Sequence, residues 1–144
     1  MQMLHHGAID GVTGSCHQLI LADGRSLLID CGLFQGAEAG PDGAGAQQLE
    51  IGFPIASLQA LVITHVHIDH VGRLPYLLAA GYRGPILCSP ASAELLPMVL
   101  EDALKVGFTR KRRLIEQVLA ELRRRVIALP YRRWGGELPQ SAAR

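Results

Sequence analysis

The segment Leu61-Val62-Ile63-Thr64-His65-Val66-His67-Ile68-Asp69-His70 constrains this chain more than any other. Three of the chain's six histidines fall within six positions, directly after an apolar run that reads as a buried strand. In an extended segment, residues two apart share a face, so His65 and His67 point one way while Val66 points into the core. Asp69 and His70 follow where the chain leaves the strand and enters a helix. A lone histidine is ordinarily a core or surface residue. Three imidazoles and a carboxylate at this spacing instead suit a borderline-soft divalent metal such as zinc.

At 144 residues the chain has the size of one ordinary domain. Hydrophobic residues make up 49%, enough for a core, but only 5% are aromatic, so that core must be aliphatic. No apolar run approaches the length needed to cross a bilayer, and no basic segment with an apolar signal region opens the chain, so a cytoplasmic location is the expectation. Cys16, Cys31 and Cys88 are odd in number and lack C-x-x-C spacing. They point to small buried residues rather than a disulfide framework or a cysteine zinc site. The net charge of +1 hides an asymmetry: residues 110–133 carry nine basic side chains against Glu116 and Glu121, a balance of +7, while the remainder stands at −6. Such a basic end suits a polyanion. It equally suits a solvated helix face.

Strands are predicted at residues 2–5, 16–21, 26–29, 59–64 and 86–89. A glycine-rich turn spans 7–14, and Asp23-Gly24 signals a hairpin. Asp30 ends the third strand and by itself reads as a strand-terminating turn residue. Residues 37–48 read as a flexible loop and 54–58 as a short turn. Asp69 is placed to cap a helix running to about Ala80, stopped by Gly81 and bent or broken at Pro75. Ser89-Pro90 opens the next helix toward Val106, with a kink or a division into two helices at Pro97. A last helix over 109–125 places Leu114, Ile115, Val118, Leu119 and Leu122 at helical spacing, with basic residues mostly opposite. His5, His6 and His17 have no spacing that makes a site, and read as structural or surface residues, His17 nearest the cleft. Residues 1–134 form the expected domain and 135–144 a tail.

The H-x-H-x-D-H run resembles the signature of the metallo-β-lactamase superfamily. The opening Gly7-Ala8-Ile9-Asp10-Gly11-Val12-Thr13-Gly14-Ser15-Cys16-His17 and the segment Leu28-Ile29-Asp30-Cys31-Gly32-Leu33-Phe34-Gln35-Gly36 resemble its β-CASP branch, which contains RNA-processing nucleases. Gly72-Arg73-Leu74-Pro75 and Gly81-Tyr82-Arg83-Gly84-Pro85-Ile86 continue the likeness, which covers residues 4–134. The resemblance implies an α/β fold: the N-terminal part of an αββα sandwich, one mixed sheet with helices on one face. It implies two zinc ions, with His65 and His67 on the first and Asp69 and His70 on the second. Asp30 would brace the histidine loop by hydrogen bonds without binding metal itself. The implied reaction is phosphodiester hydrolysis in RNA by a metal-bound hydroxide, Asp69 belonging to the catalytic set, with Arg123, Arg124 and Arg125 as candidate RNA contacts.

The family pattern also has later ligands, and here no histidine follows His70. The bridging aspartate and the β-CASP insertion are likewise missing, so four of the seven expected ligands are present. The near-continuous apolar strands are those of a sheet covered on both faces, and without a second half one face stands bare. The expectation is a truncated or partial metallo-hydrolase, weak or inactive alone, with RNA, a homodimer partner or a C-terminal complement as partners and no membrane contact. The alternative is a non-catalytic RNA- or protein-binding module using the basic helix at 109–125.

Overall fold

A computed structural model describes residues 1–36, 49–107 and 109–133. The strands β1 (Gln2–Gly7), β2 (Cys16–Ile20), β3 (Ser26–Ile29), β4 (Leu58–Val62), β5 (Ile86–Cys88) and β6 (Val126–Ala128) form one six-stranded sheet in sequence order. Helices α1 (Ile68–Val71) and α2 (Leu74–Ala79) connect β4 to β5, and α3 (Pro90–Gly107) and α4 (Arg112–Arg125) connect β5 to β6.

The first three strands are an antiparallel meander, and β3 through β6 run parallel. The hairpin at Asp23-Gly24 closes as its turn chemistry requires: Leu21 N donates to Arg25 O at 2.8 Å, and Gly24 takes φ +85°. Parallel neighbours cannot be joined by a tight turn, and helices carry the chain from β4 to β5 and from β5 to β6.

Pairing register sorts the side chains into two faces. Gln18, Leu28, Leu61 and Ile86 stand side by side across β2 to β5. Leu28, Leu61 and Ile86 are fully buried and join Leu74, Leu77, Leu96, Leu100, Leu119 and Leu122 of the helices in one aliphatic core. The next rung along, on the other face, runs His5, His17, Ile29, Val62, Leu87 and Ile127. Ile29, Val62 and Ile127 are only half-buried there, and none of the six belongs to the core cluster. The helices thus cover one face of the mixed sheet, as the resemblance implies, whereas the apolar strands alone suit a sheet covered on both faces.

Several boundaries depart from the sequence reading. The helix after the histidine run is broken, as expected, but at Gly72–Arg73, into α1 and α2, with Pro75 in the first turn of α2. Its cap is His67, without a side-chain hydrogen bond, and Asp69 lies inside the first turn. Strand β4 ends at Val62 and the helix starts at Ile68, directly after His67, so the carboxylate enters the helix rather than preceding it. Helix α3 opens on Ser89, whose Oγ accepts from Ser92 N at 3.1 Å, and runs through Pro97 as a single helix. Helix α4 begins three residues late, because Thr109 Oγ1 accepts from Lys111 N and holds the chain in a turn. Strand β6 was unanticipated: three residues follow Arg125 with no breaker between them. The 37–48 loop, Trp134 and the 135–144 tail lie outside the described residues.

Candidate metal centre

Strands β3 and β4 are parallel neighbours, so their C-terminal ends leave the sheet together. That edge is where open α/β sheets place their ligands. Asp30 follows β3 directly, its N–H donating to Val62 O at 2.9 Å. It is 98% buried (2% exposed) and takes φ +59°, a left-handed conformation that aspartate tolerates better than most residues. This twist turns its carboxylate beneath the histidine loop.

Four donors converge on that carboxylate. Oδ1 accepts from Thr64 N at 2.9 Å. Oδ2 accepts from Thr64 Oγ1 at 2.9 Å, Ser15 Oγ at 3.2 Å and His70 Nδ1 at 2.7 Å. Donation from Nδ1 to a carboxylate fixes the His70 tautomer and leaves the Nε2 lone pair outward. Thr64 Oγ1 gives its single proton to Asp30, so its oxygen can accept from His65 Nδ1–H at 3.1 Å. His65 is then also left with a free Nε2.

The imidazoles gather at one place. The His65 ring lies 3.9 Å from that of His70 and 4.7 Å from that of His67, centroid to centroid. Asp69 Oδ2 stands 3.6 Å from His70 Nε2. That is close to the roughly 3.4 Å separating two ligands on one tetrahedral zinc, given bonds of about 2.1 Å. The donor set therefore fits a divalent ion in kind. It falls short in number: among the described residues no group of three or more His, Cys, Asp or Glu side chains is arranged to hold a metal ion. The rings meet by face and edge.

The loop rests on a backbone platform. Ser15 N donates to Asp69 O, Cys31 N to His70 O, each at 2.8 Å, and Leu33 N to Ile68 O at 3.0 Å. Gly32 is required here by close approach: a Cβ would lie 1.6 Å from Asp69 O. Arg73 fastens the platform from behind, its Nε donating to Gly32 O at 2.7 Å and its guanidinium lying 5.2 Å from the Phe34 ring centre. Phe34 in turn fills the space over Gly14, where a Cβ would meet the ring at 2.6 Å. Cys16, Cys31 and Cys88 are free and buried, as expected. The hydrogen bond with Cys31 holds the Cys16 thiol below its ordinary pKa; the same contact and burial push Cys31 up.

Ser15, Thr64 and Arg73 were not singled out from sequence. All three lie inside quoted motifs, and nothing in the motifs marks Ser15 or Thr64 as a partner of the Asp30 carboxylate.

The three candidate arginines lie elsewhere. The histidine loop follows β4, whereas Arg125 immediately precedes β6, which runs parallel to β4 and β5. Arg123, Arg124 and Arg125 therefore sit at the opposite end of the sheet from the histidines. Arg125 pairs with Glu121 and donates to Arg83 O, Arg124 also pairs with Glu121, and Arg123 is exposed.

The metallo-beta-lactamase superfamily model matches residues 13–121. Ribonuclease TTHA0252 of Thermus thermophilus is 48% identical over 106 residues, covering 74% of this chain and 23% of that protein. Transcription termination factor FttA of Cenarchaeum symbiosum is 35% identical over 127 residues, covering 87% of this chain and 19% of that protein. Integrator complex subunit 11 of Danio rerio is 33% identical over 109 residues, covering 73% of this chain and 18% of that protein. The chain spans about a fifth of the length of these relatives.

Proposed function

The chain belongs to the metallo-beta-lactamase superfamily, and from that premise we propose that it carries part of the zinc site of a ribonuclease-type hydrolase acting on RNA phosphodiesters. The observation that carries this reading is the Asp30 carboxylate, which holds Thr64 and His70 at once and so orients the imidazole cluster. A core-filling or surface histidine needs no such brace. The similarity to a ribonuclease over 74% of this chain supports the substrate class.

His65 and His67 would hold one zinc ion, and Asp69 with His70 a second. Bound there, zinc supplies Lewis acidity, offsetting charge that builds on phosphate oxygens and making water a nucleophile at neutral pH. The chain's own part is orientation. Asp30 keeps the His70 Nδ1 proton in place and Thr64 does the same for His65, so both rings present unprotonated Nε2 atoms. The Ser15, Cys31 and Leu33 amides fix the loop backbone, so the ligands do not have to be reordered on binding. With two ligands per ion, coordination is open and the chain alone turns over little or no RNA.

The test is binding of a short RNA with and without zinc. Zinc should strengthen it, and His67→Ala should remove the increment. An RNA affinity that neither zinc nor His67→Ala alters overturns the reading.

A second reading has its own support. Arg110, Lys111, Arg112, Arg113, Arg123 and Arg124 are exposed, and Arg123 and Arg124 lie at the end of the sheet away from the histidines. A polyanion held there would contact α4 without reaching the loop, and its affinity would fall steeply with salt.

A further inference from the structure

His5 and His17 are twelve residues apart and carry no motif, yet the β1–β2 ladder places them directly opposite each other. Their rings meet edge to face at 4.9 Å, and the two Nδ1 atoms stand 2.9 Å apart. We propose that this cross-strand pair is a second metal site, for a divalent transition ion of the copper or nickel kind, separate from the histidine loop.

Two bonds of about 2.0–2.1 Å meeting at a right angle put their nitrogens roughly 2.9 Å apart. The pair already has that spacing, and right-angled neighbours are what tetragonal copper(II) and nickel(II) prefer over tetrahedral zinc. Directly opposed strand residues keep their Cβ atoms within about 4.5–5.5 Å, so the backbone holds the two rings together before any ion arrives. His5 is exposed and His17 half-buried, so an ion can enter from solvent and water can fill its remaining positions. His6 is not a third ligand: its Nε2 lies 2.9 Å from Gln18 Oε1 and its ring stacks on Phe53 at 3.8 Å.

One proton lies between the two Nδ1 atoms in the metal-free pair. Binding moves it: the donating ring loses Nδ1–H and takes a proton from solvent at Nε2, so both imidazoles stay neutral and both Nδ1 lone pairs face the ion. The bound ion clasps the edge strand β1 to β2 and favours the folded chain. None of this rests on the hydrolase reading.

The experiment is a copper(II) titration of the full chain carrying His65→Ala and His67→Ala, followed by electron paramagnetic resonance. The expected result is one ion per chain with hyperfine coupling to two nitrogens. His5→Ala on that background should weaken binding by at least about tenfold, since losing a ligand costs no less than losing an outer partner of one. Where the loop variants fail to fold, the ring resonances of the unsubstituted chain decide. His5 and His17 signals should respond to nickel(II) together, and in His5→Ala the His17 response should disappear. Binding unchanged by His5→Ala, or an ion that leaves both rings unaffected, overturns the proposal.

Discussion

Asp30 Oδ2 lies 2.7 Å from His70 Nδ1, joining residues 40 positions apart in the chain at the shared end of two parallel strands. The same carboxylate also holds Thr64, so one buried group braces both ends of the histidine loop. The carboxylate is buried, and its charge is compensated by donors from Ser15, Thr64 and His70. Replacing Asp30 with alanine leaves those donors facing a void. Asp30→Ala should destabilise the fold by about 3 kcal/mol, the scale for breaking a buried polar set by deleting one partner, and lower zinc affinity by roughly 10–100-fold. Urea denaturation and a zinc titration measure the two effects. Asp30→Ala with unaltered zinc affinity would show that the brace has no bearing on the ligands.

Gly32→Ala tests the platform rather than the ligands. The added methyl would stand 1.6 Å from Asp69 O, which is backbone and cannot rotate away. The loop must shift, with an expected loss of at least about 2 kcal/mol, toward the upper end of overpacking effects. Gly24→Ala serves as the contrast: nothing lies near its Cβ, and only the φ of +85° resists the side chain, at roughly 1–2 kcal/mol. Paired urea midpoints give the comparison, and equal losses at the two positions would contradict the close approach.

His17 gives the metal-free chain a pH dependence. Burial lowers its pKa below the ordinary 6.5, as do His5, His6 and His70, while Asp30 opposes them. The unfolded chain therefore takes up the proton first. The associated stability is present above the ordinary imidazole value and is lost as pH falls below it. Chelator-treated chain should show a lower urea midpoint at about pH 5.5 than at about pH 7.5, and His17→Gln should reduce that difference. A difference that His17→Gln leaves intact assigns the dependence to other groups.

The arginines closing α4 separate into two kinds. Arg124 is 74% exposed and pairs with Glu121 of its own helix, whereas the Arg125 side chain is 14% exposed and also reaches Arg83 O. Arg124→Ala should cost no more than about 0.5 kcal/mol, and Arg125→Ala about 1–2 kcal/mol through its lost backbone contact. If α4 binds RNA, the Arg123→Ala, Arg124→Ala double variant should weaken binding and flatten its salt slope with little change in stability. Salt-independent binding, insensitive to those charges, counts against that role.

Much of this arrangement was readable in the residues. Strand β3 ends where Asp30 follows Leu28 and Ile29, because an apolar run met a polar turn residue. The helix break just before Pro75 and the cap at Ser89 are local backbone chemistry, so they too were visible. What escaped depends on pairing between distant segments. Strand β6 is three residues of ordinary apolar sequence, made a strand only by β5 beside it. The His5–His17 contact exists only through ladder register, and the remoteness of Arg123–Arg125 from the histidines only through strand direction. Thr109 shows the limit of local signals: a good cap residue, it closes a turn and the helix starts later. Of the metal site, spacing gave the ligand candidates, while the Thr64 and Ser15 contacts required the fold.

Zinc content is the direct measure of the central claim. The chain carrying His5→Ala, which silences the cross-strand pair, should be dialysed against excess zinc and analysed for metal, alongside the same chain with His65→Ala and His67→Ala added. Zinc should be retained by the first protein, and at least one equivalent should be lost from the second. No zinc in the first protein at saturating supply, with His65, His67, Asp69 and His70 all intact, would contradict it.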